Sequence, residues 1–154
     1  MKKFMQVAIA EAEKGLRKKA GGPFGAVIVL DGKLIASAHN EVIKNNDPTC
    51  HAEIQAIRAA AKKLKRFDLS DCEIYSSCEP CPMCLAAIHW AKIRKLYFGA
   101  TRKDAEDVGF DDKFIYDVIC GTAKKKQVSV VQISRRECLV PLKKWLNLKS
   151  KTQY

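Results

Sequence analysis

The chain is expected to be an α/β protein, a three-layer α/β/α sandwich around a mixed five-stranded sheet. Three observations predict it. Short Val- and Ile-rich runs alternate with amphipathic helical stretches, which argues parallel pairing and a sheet buried on both faces. One Asp-Gly dipeptide joins two adjacent apolar runs, which argues an antiparallel hairpin at the start. At 154 residues there is material for one apolar core and not for two.

The elements follow in order. Over residues 3–18, Phe4, Val7, Ala8, Ala12, Gly15 and Leu16 recur at helical spacing up to the Gly21-Gly22-Pro23 breaker, predicting an amphipathic first helix. Residues 24–30 and 33–39 are strands joined by Asp31-Gly32. A helix over about 49–64, a strand over 73–77, a helix over about 82–91 and a strand over 94–99 come next. After a loop rich in Asp and Gly, the pattern predicts a helix near 112–120, a fifth strand near 128–133 and a last helix near 138–148. No repeat or low-complexity stretch interrupts this single domain.

Composition narrows the setting. Gln6 and Glu11 break the only apolar run near the start, so no signal peptide and no membrane span is expected, and the protein is read as cytoplasmic. Seven cysteines, an odd number at irregular spacings, fit metal ligation and free thiols better than a disulfide framework. The net charge is +11, and residues 124–154 carry nine basic side chains against Glu137 alone. Such a tail suits phosphate neutralisation. The basic residues are not interleaved with aromatics on which bases stack, so a solvated face is favoured over a nucleic-acid footprint.

Chemistry concentrates in two short motifs. His51-Ala52-Glu53 supplies an imidazole and a carboxylate, and Pro80-Cys81-Pro82-Met83-Cys84 supplies two closely spaced thiols. A catalytic zinc takes three protein ligands and keeps a fourth position for water, which His51, Cys81 and Cys84 satisfy, leaving Glu53 outside the shell as a proton carrier. Pro82 suits a first helical position, so Cys81 caps the helix and Cys84 falls in its first turn, where orphan amides favour thiolates. Residues two apart on a helix diverge by about 200°, so His51 and Glu53 meet at one metal only if His51 lies near the cap. A redox Cys-x-x-Cys pair and an iron–sulfur run are disfavoured by the flanking prolines, the upstream His51-x-Glu53 and the lack of a suitably spaced fourth cysteine. Cys50, Cys72, Cys78, Cys120 and Cys138 are read as core or partly exposed thiols, and His39 and His89 as structural.

His-x-Glu with Pro-Cys-x-x-Cys is the pattern of zinc-dependent base deaminases. The chain resembles the cytidine-deaminase-like superfamily, and within it the small bacterial guanine deaminases, through residues 21–29, 46–53, 77–91 and 109–116 and through the terminal Tyr154; between about 121 and 150 the likeness weakens. The resemblance implies hydrolysis of guanine to xanthine and ammonia, with His51, Cys81 and Cys84 as zinc ligands and Glu53 as proton shuttle. It also implies Asn40 as a reader of the purine edge, Phe24 and Trp90 as walls, Asp112 as a partner for the substrate amine or ring nitrogens, and a homodimer whose segment from about 130–154 is exchanged so that Tyr154 closes over the partner's base. From the residues alone, Phe24 and Trp90 are equally readable as core, and Asp111 as a helix cap with Asp112 facing water. A tRNA adenosine deaminase and a guanosine deaminase would use the same zinc site, and a structural zinc in a nucleic-acid-binding module is disfavoured by Glu53 and by the lack of a fourth ligand.

Overall fold

The computed structural model describes residues 1–124 and 128–152. Helix α1 (Lys2–Arg17) is followed by strands β1 (Gly25–Leu30) and β2 (Lys33–His39), a short helix α2 (Val42–Asn45), helix α3 (Ala52–Leu64), strand β3 (Cys72–Cys78), helix α4 (Pro82–Trp90) and strand β4 (Lys95–Ala100). Three more helices complete the described chain: α5 (Arg102–Asp107), α6 (Lys113–Ile119) and α7 (Arg135–Leu146). The sheet order is β2-β1-β3-β4. β1 lies antiparallel to both β2 and β3, while β4 returns parallel to β3 through α4, so the sheet is mixed.

Local chemistry explains the turns. Asp31 and Gly32 take φ of 48° and 70°, the left-handed pair that matches a two-residue hairpin turn to strand twist. Alternate residues of β1 then face opposite ways. Ala26 and Ile28, with Ile74 of β3, pack in one core with Ala52, Ala56 and Ala60 of α3 and Ile88 of α4. Val27, Val29 and Tyr75 pack in the other with Phe4 and Ala8 of α1. Helices on both faces of a mixed sheet make the expected three layers. The alanines of α3 recur every fourth residue, forming one stripe small enough to bring the helix close to the strands.

Two expectations need correction. Among the described residues the sheet has four strands, not five. Residues 128–133 are not paired, and Val130, Val131 and Ile133 are 87%, 75% and 76% exposed, because this segment runs clear of its own sheet and leaves the outer edge of β4 open. The stretch read as a loop after β4 holds α5, nucleated by a capping box in which Thr101 and Asp104 exchange side-chain-to-backbone hydrogen bonds. Helix α2 was likewise not expected.

Cys50, Cys72 and Cys78 are buried free thiols, and Cys120 and Cys138 are exposed ones. No helix among the described residues is long and apolar enough to cross a membrane.

Candidate active site and metal centre

The N-terminal ends of α3 and α4 meet beside the carboxyl end of β3. His51 is the cap of α3, with extended backbone (φ −68°, ψ 154°), and its carbonyl accepts the first helical bond, from Gln55 N at 3.0 Å. That cap conformation turns the imidazole back toward Glu53, meeting the geometric demand set by their two-residue spacing. Cys81 caps α4 in the same way (φ −64°, ψ 168°), Pro82 follows at the first helical position, and Cys84 is fully buried in the first turn. His51 Nδ1 lies 3.5 Å from the Sγ of both Cys81 and Cys84. The three donor atoms all lie within 4.8 Å of one another, so one ion can sit among them.

The donor set suits a soft, tetrahedral dication such as zinc. The hydrogen bond from Cys84 and then His51 hold the Cys81 thiol well below its ordinary range, while the same bond and burial push the Cys84 thiol up. Two adjacent buried thiols cannot both ionise without a compensating positive charge. Two helix N-termini supply part of that charge and a dication would supply the rest.

Glu53 is 6% exposed, and burial raises its carboxyl above the ordinary range. Its Oε1 accepts from Ser76 Oγ at 3.0 Å, and its Oε2 lies 3.4 Å from Cys84 Sγ. The carboxyl is thus anchored to β3 by one oxygen and held against the donor cluster by the other. Ser76 escaped the sequence reading; its signal is a hydroxyl inside the otherwise buried strand Cys72–Cys78, where a polar group demands a partner.

A cavity of about 370 Å³ borders Glu11, His39 and Arg58 elsewhere on the molecule, but His51 and Cys81 open onto a larger one of about 630 Å³, with Cys84 buried behind them. Its wall includes Phe24, Asn40, His51, Glu53, Cys81, Phe110 and Asp112. Asn40 is 4% exposed, and its Oδ1 accepts from the backbone N–H of Gly22 and of Val42, both at 3.2 Å. With the oxygen engaged twice, Nδ2 is the end offered to a ligand. A Cβ on Gly21 would overlap that same Oδ1, so the close approach of the loop to Asn40 requires glycine there. Phe24 meets Phe110 edge to face, with centroids 4.9 Å apart at 83°. Asp111 Oδ1 accepts from Lys113 N at 2.8 Å, while Asp112 borders the cavity with its carboxyl raised first by burial and then by the neighbouring Cys81.

Trp90 stands elsewhere. It is 66% exposed and is not among the residues bordering the cavity, because it lies nine positions beyond Cys81, about 13 Å along the helix axis at 1.5 Å per residue. Phe110 is the aromatic residue that borders the cavity beside Phe24. His39 is buried and bonded to Glu11 through Nδ1 at 2.8 Å, and His89 is exposed; neither joins the donors. Tyr154 lies outside the described residues.

Known proteins share this arrangement. Residues 1–100 match the family described as the cytidine and deoxycytidylate deaminase zinc-binding region. The chain is 46% identical over 151 residues to guanine deaminase of Bacillus subtilis (strain 168), covering 98% of this chain and 97% of that protein. The X-ray structure of guanine deaminase from Bacillus subtilis superposes with a TM-score of 0.94 at 45% identity, covering 99% of this chain and 98% of that one. A tRNA-specific adenosine deaminase of Agrobacterium fabrum is 47% identical over 98 residues, 63% of each chain. With a His-Cys-Cys donor set at two helix caps and a buried carboxyl beside it, the chain belongs to the cytidine and deoxycytidylate deaminase family of zinc-binding enzymes.

Proposed function

We propose that this protein hydrolyses guanine to xanthine and ammonia. The observation that carries the reading is the extent of likeness. The similarity to the Bacillus subtilis guanine deaminase runs through the C-terminal third, including Asp112 in the cavity wall, whereas the tRNA-specific relative matches 63% of the chain.

His51 Nδ1, Cys81 Sγ and Cys84 Sγ would hold zinc. Bound there, zinc lowers the pKa of a coordinated water to about 7. Glu53, its carboxyl raised by burial, takes a proton from the water that attacks the amino-bearing carbon, then delivers it to the adjacent ring nitrogen. As the carbon–nitrogen bond breaks, the water's second proton passes through the same carboxyl to the departing nitrogen, which leaves as ammonia. Ser76 keeps Oε1 fixed throughout, so Oε2 alone travels between the two proton sites. Asn40 Nδ2 donates to an acceptor on the purine edge and Asp112 accepts from the amine or a ring N–H, while Phe24 and Phe110 supply apolar faces and exclude water.

The exposed apolar residues at 128–133 and the open edge of β4 support a dimer in which this segment pairs with a second copy and Tyr154 reaches the partner's base. The proposed setting is the cytoplasm.

Ammonia release from guanine, guanosine and an RNA anticodon stem-loop, measured side by side, tests the substrate. Turnover of guanine with little of the others is the expected result. Turnover of RNA alone would replace this reading with tRNA adenosine deamination, and preference for guanosine would assign the rest of the 630 Å³ cavity to ribose.

A further inference from the structure

Helix α6 has no buried residue, yet it begins at Asp112, the carboxylate that borders the cavity. Something other than a core must hold it in place. Tyr116 lies one turn on, and its N–H points back to the Asp112 carbonyl at 3.4 Å, so the two residues move together. Tyr116 Oη donates to the carbonyl of Pro80 at 3.1 Å, one residue before Cys81. The Arg102 guanidinium lies over the Tyr116 ring, 4.4 Å from its centroid. Arg102 is tied in turn to Glu79, by Nε to Oε1 at 3.2 Å and by its backbone N–H to Oε2 at 3.1 Å. Glu79 N donates to Ala100 O at 2.8 Å, closing the path onto the sheet.

We infer that Arg102 and Tyr116 form a strap that fastens the Asp112 end of α6 to the loop delivering Cys81, making both of them positioning residues for substrate binding. The substrate half of this statement rests on the proposed contact between Asp112 and the base. The mechanical half does not. Arg102 suits the task because a planar guanidinium can stack on a ring and still pair with a carboxylate, which a lysine cannot do with the same geometry. The strap lands on Glu79 and Pro80, the two residues before Cys81, so it fixes the spacing between the proposed substrate contact and the metal donors.

The zinc-loaded protein tests this with Arg102→Ala, Arg102→Lys and Tyr116→Phe. Amide hydrogen exchange over residues 113–119 should quicken about 5- to 10-fold in Arg102→Ala and Tyr116→Phe, as expected for losing one hydrogen bond or one stacked cation, with residues 52–64 unchanged. Arg102→Lys should fall between wild type and alanine. KM for guanine should rise about 5- to 10-fold with kcat within about 2-fold and zinc content unchanged. In an Asp112→Asn background, Tyr116→Phe should raise KM no further, since the strap acts through that carboxylate. Unchanged exchange over 113–119 in both strap variants would overturn the strap itself. A full KM effect persisting in Asp112→Asn would overturn its route to substrate. A wild-type protein inactive on guanine would instead sink the proposed reaction, and the exchange measurement would still decide the strap.

Discussion

Every buried residue in the described chain lies between Phe4 and Ile93, and every described residue from Arg94 onward is at least partly exposed. The first region holds both cores, the metal donors, Glu53 and Asn40. The second holds Phe110, Asp112, the strap and the unpaired segment at 128–133. The relatives divide similarly: the shared family spans residues 1–100, while the likeness to the guanine-acting relative continues over 151 residues. The metal donors and the carboxyl proposed to carry protons therefore sit on the buried part, where donors must hold position to a few tenths of an ångström. The proposed Asp112 contact and the proposed association surface lie on the exposed part, where sequence can change without disturbing the core, while Phe24 and Asn40 reach the same cavity from the buried part.

The sharpest way to break this division is to strike the chemistry without touching the fold. Stripping the metal with a strong chelator should abolish ammonia release, and added zinc should restore it; residual turnover in the stripped protein would remove the donors from the reaction. Glu53→Gln should lower kcat about 10²- to 10⁴-fold, the usual worth of a placed acid–base group, with zinc content unchanged. Normal turnover in that variant would take Glu53 out of the proton path.

Packing should show the same contrast. Ile74 is fully buried, so Ile74→Ala should cost about 2–5 kcal/mol in denaturant unfolding. Val130, at 87% exposed, belongs to the other regime. Val130→Asp should leave the unfolding free energy of the dilute protein within about 0.5 kcal/mol and lower the dimer fraction in sedimentation velocity. A large loss of intrinsic stability there would show that residues 128–133 pack onto their own chain.

The smallest effect concerns pH. Hydrogen bonds from Ser70, then Lys92, hold Asp68 at about 2, below its ordinary 3.8. The folded pKa is depressed, so this contribution to stability is complete above about 4 and fades as pH falls toward 2. Because Asp68 is solvent-facing, Asp68→Asn should flatten the acid limb of the stability curve only slightly. An unchanged limb would assign acid sensitivity to buried carboxylates alone.

Much of the first region was legible because its signals are local. The Asp31-Gly32 hairpin, Cys81 as a cap before Pro82, and the requirement that His51 lie at a helix start each follow from neighbouring residues. What escaped depends on contacts across the chain. Ser76 matters only because β3 brings it to Glu53, 23 positions away, and the Tyr116 bond to Pro80 spans 36. The fifth strand failed for a related reason: a β-prone run near 128–133 was legible, but pattern alone does not say on which sheet, or which copy, such a run settles. Trp90, named from likeness, lies away from the cavity of the single chain, at the far end of α4 from Cys81.

Both donor-bearing helices present their donors at or before the first turn, His51 and Cys81 as caps and Cys84 as the third helical residue. Everything downstream, from Gln55 to Leu64 and from Leu85 to Trp90, is free of any register constraint from the ion. A whole turn added or deleted at the far end of either helix would reshape the outer surface and leave the coordination geometry intact. Such an anchorage lets one catalytic nucleus be dressed with many exteriors over evolutionary time.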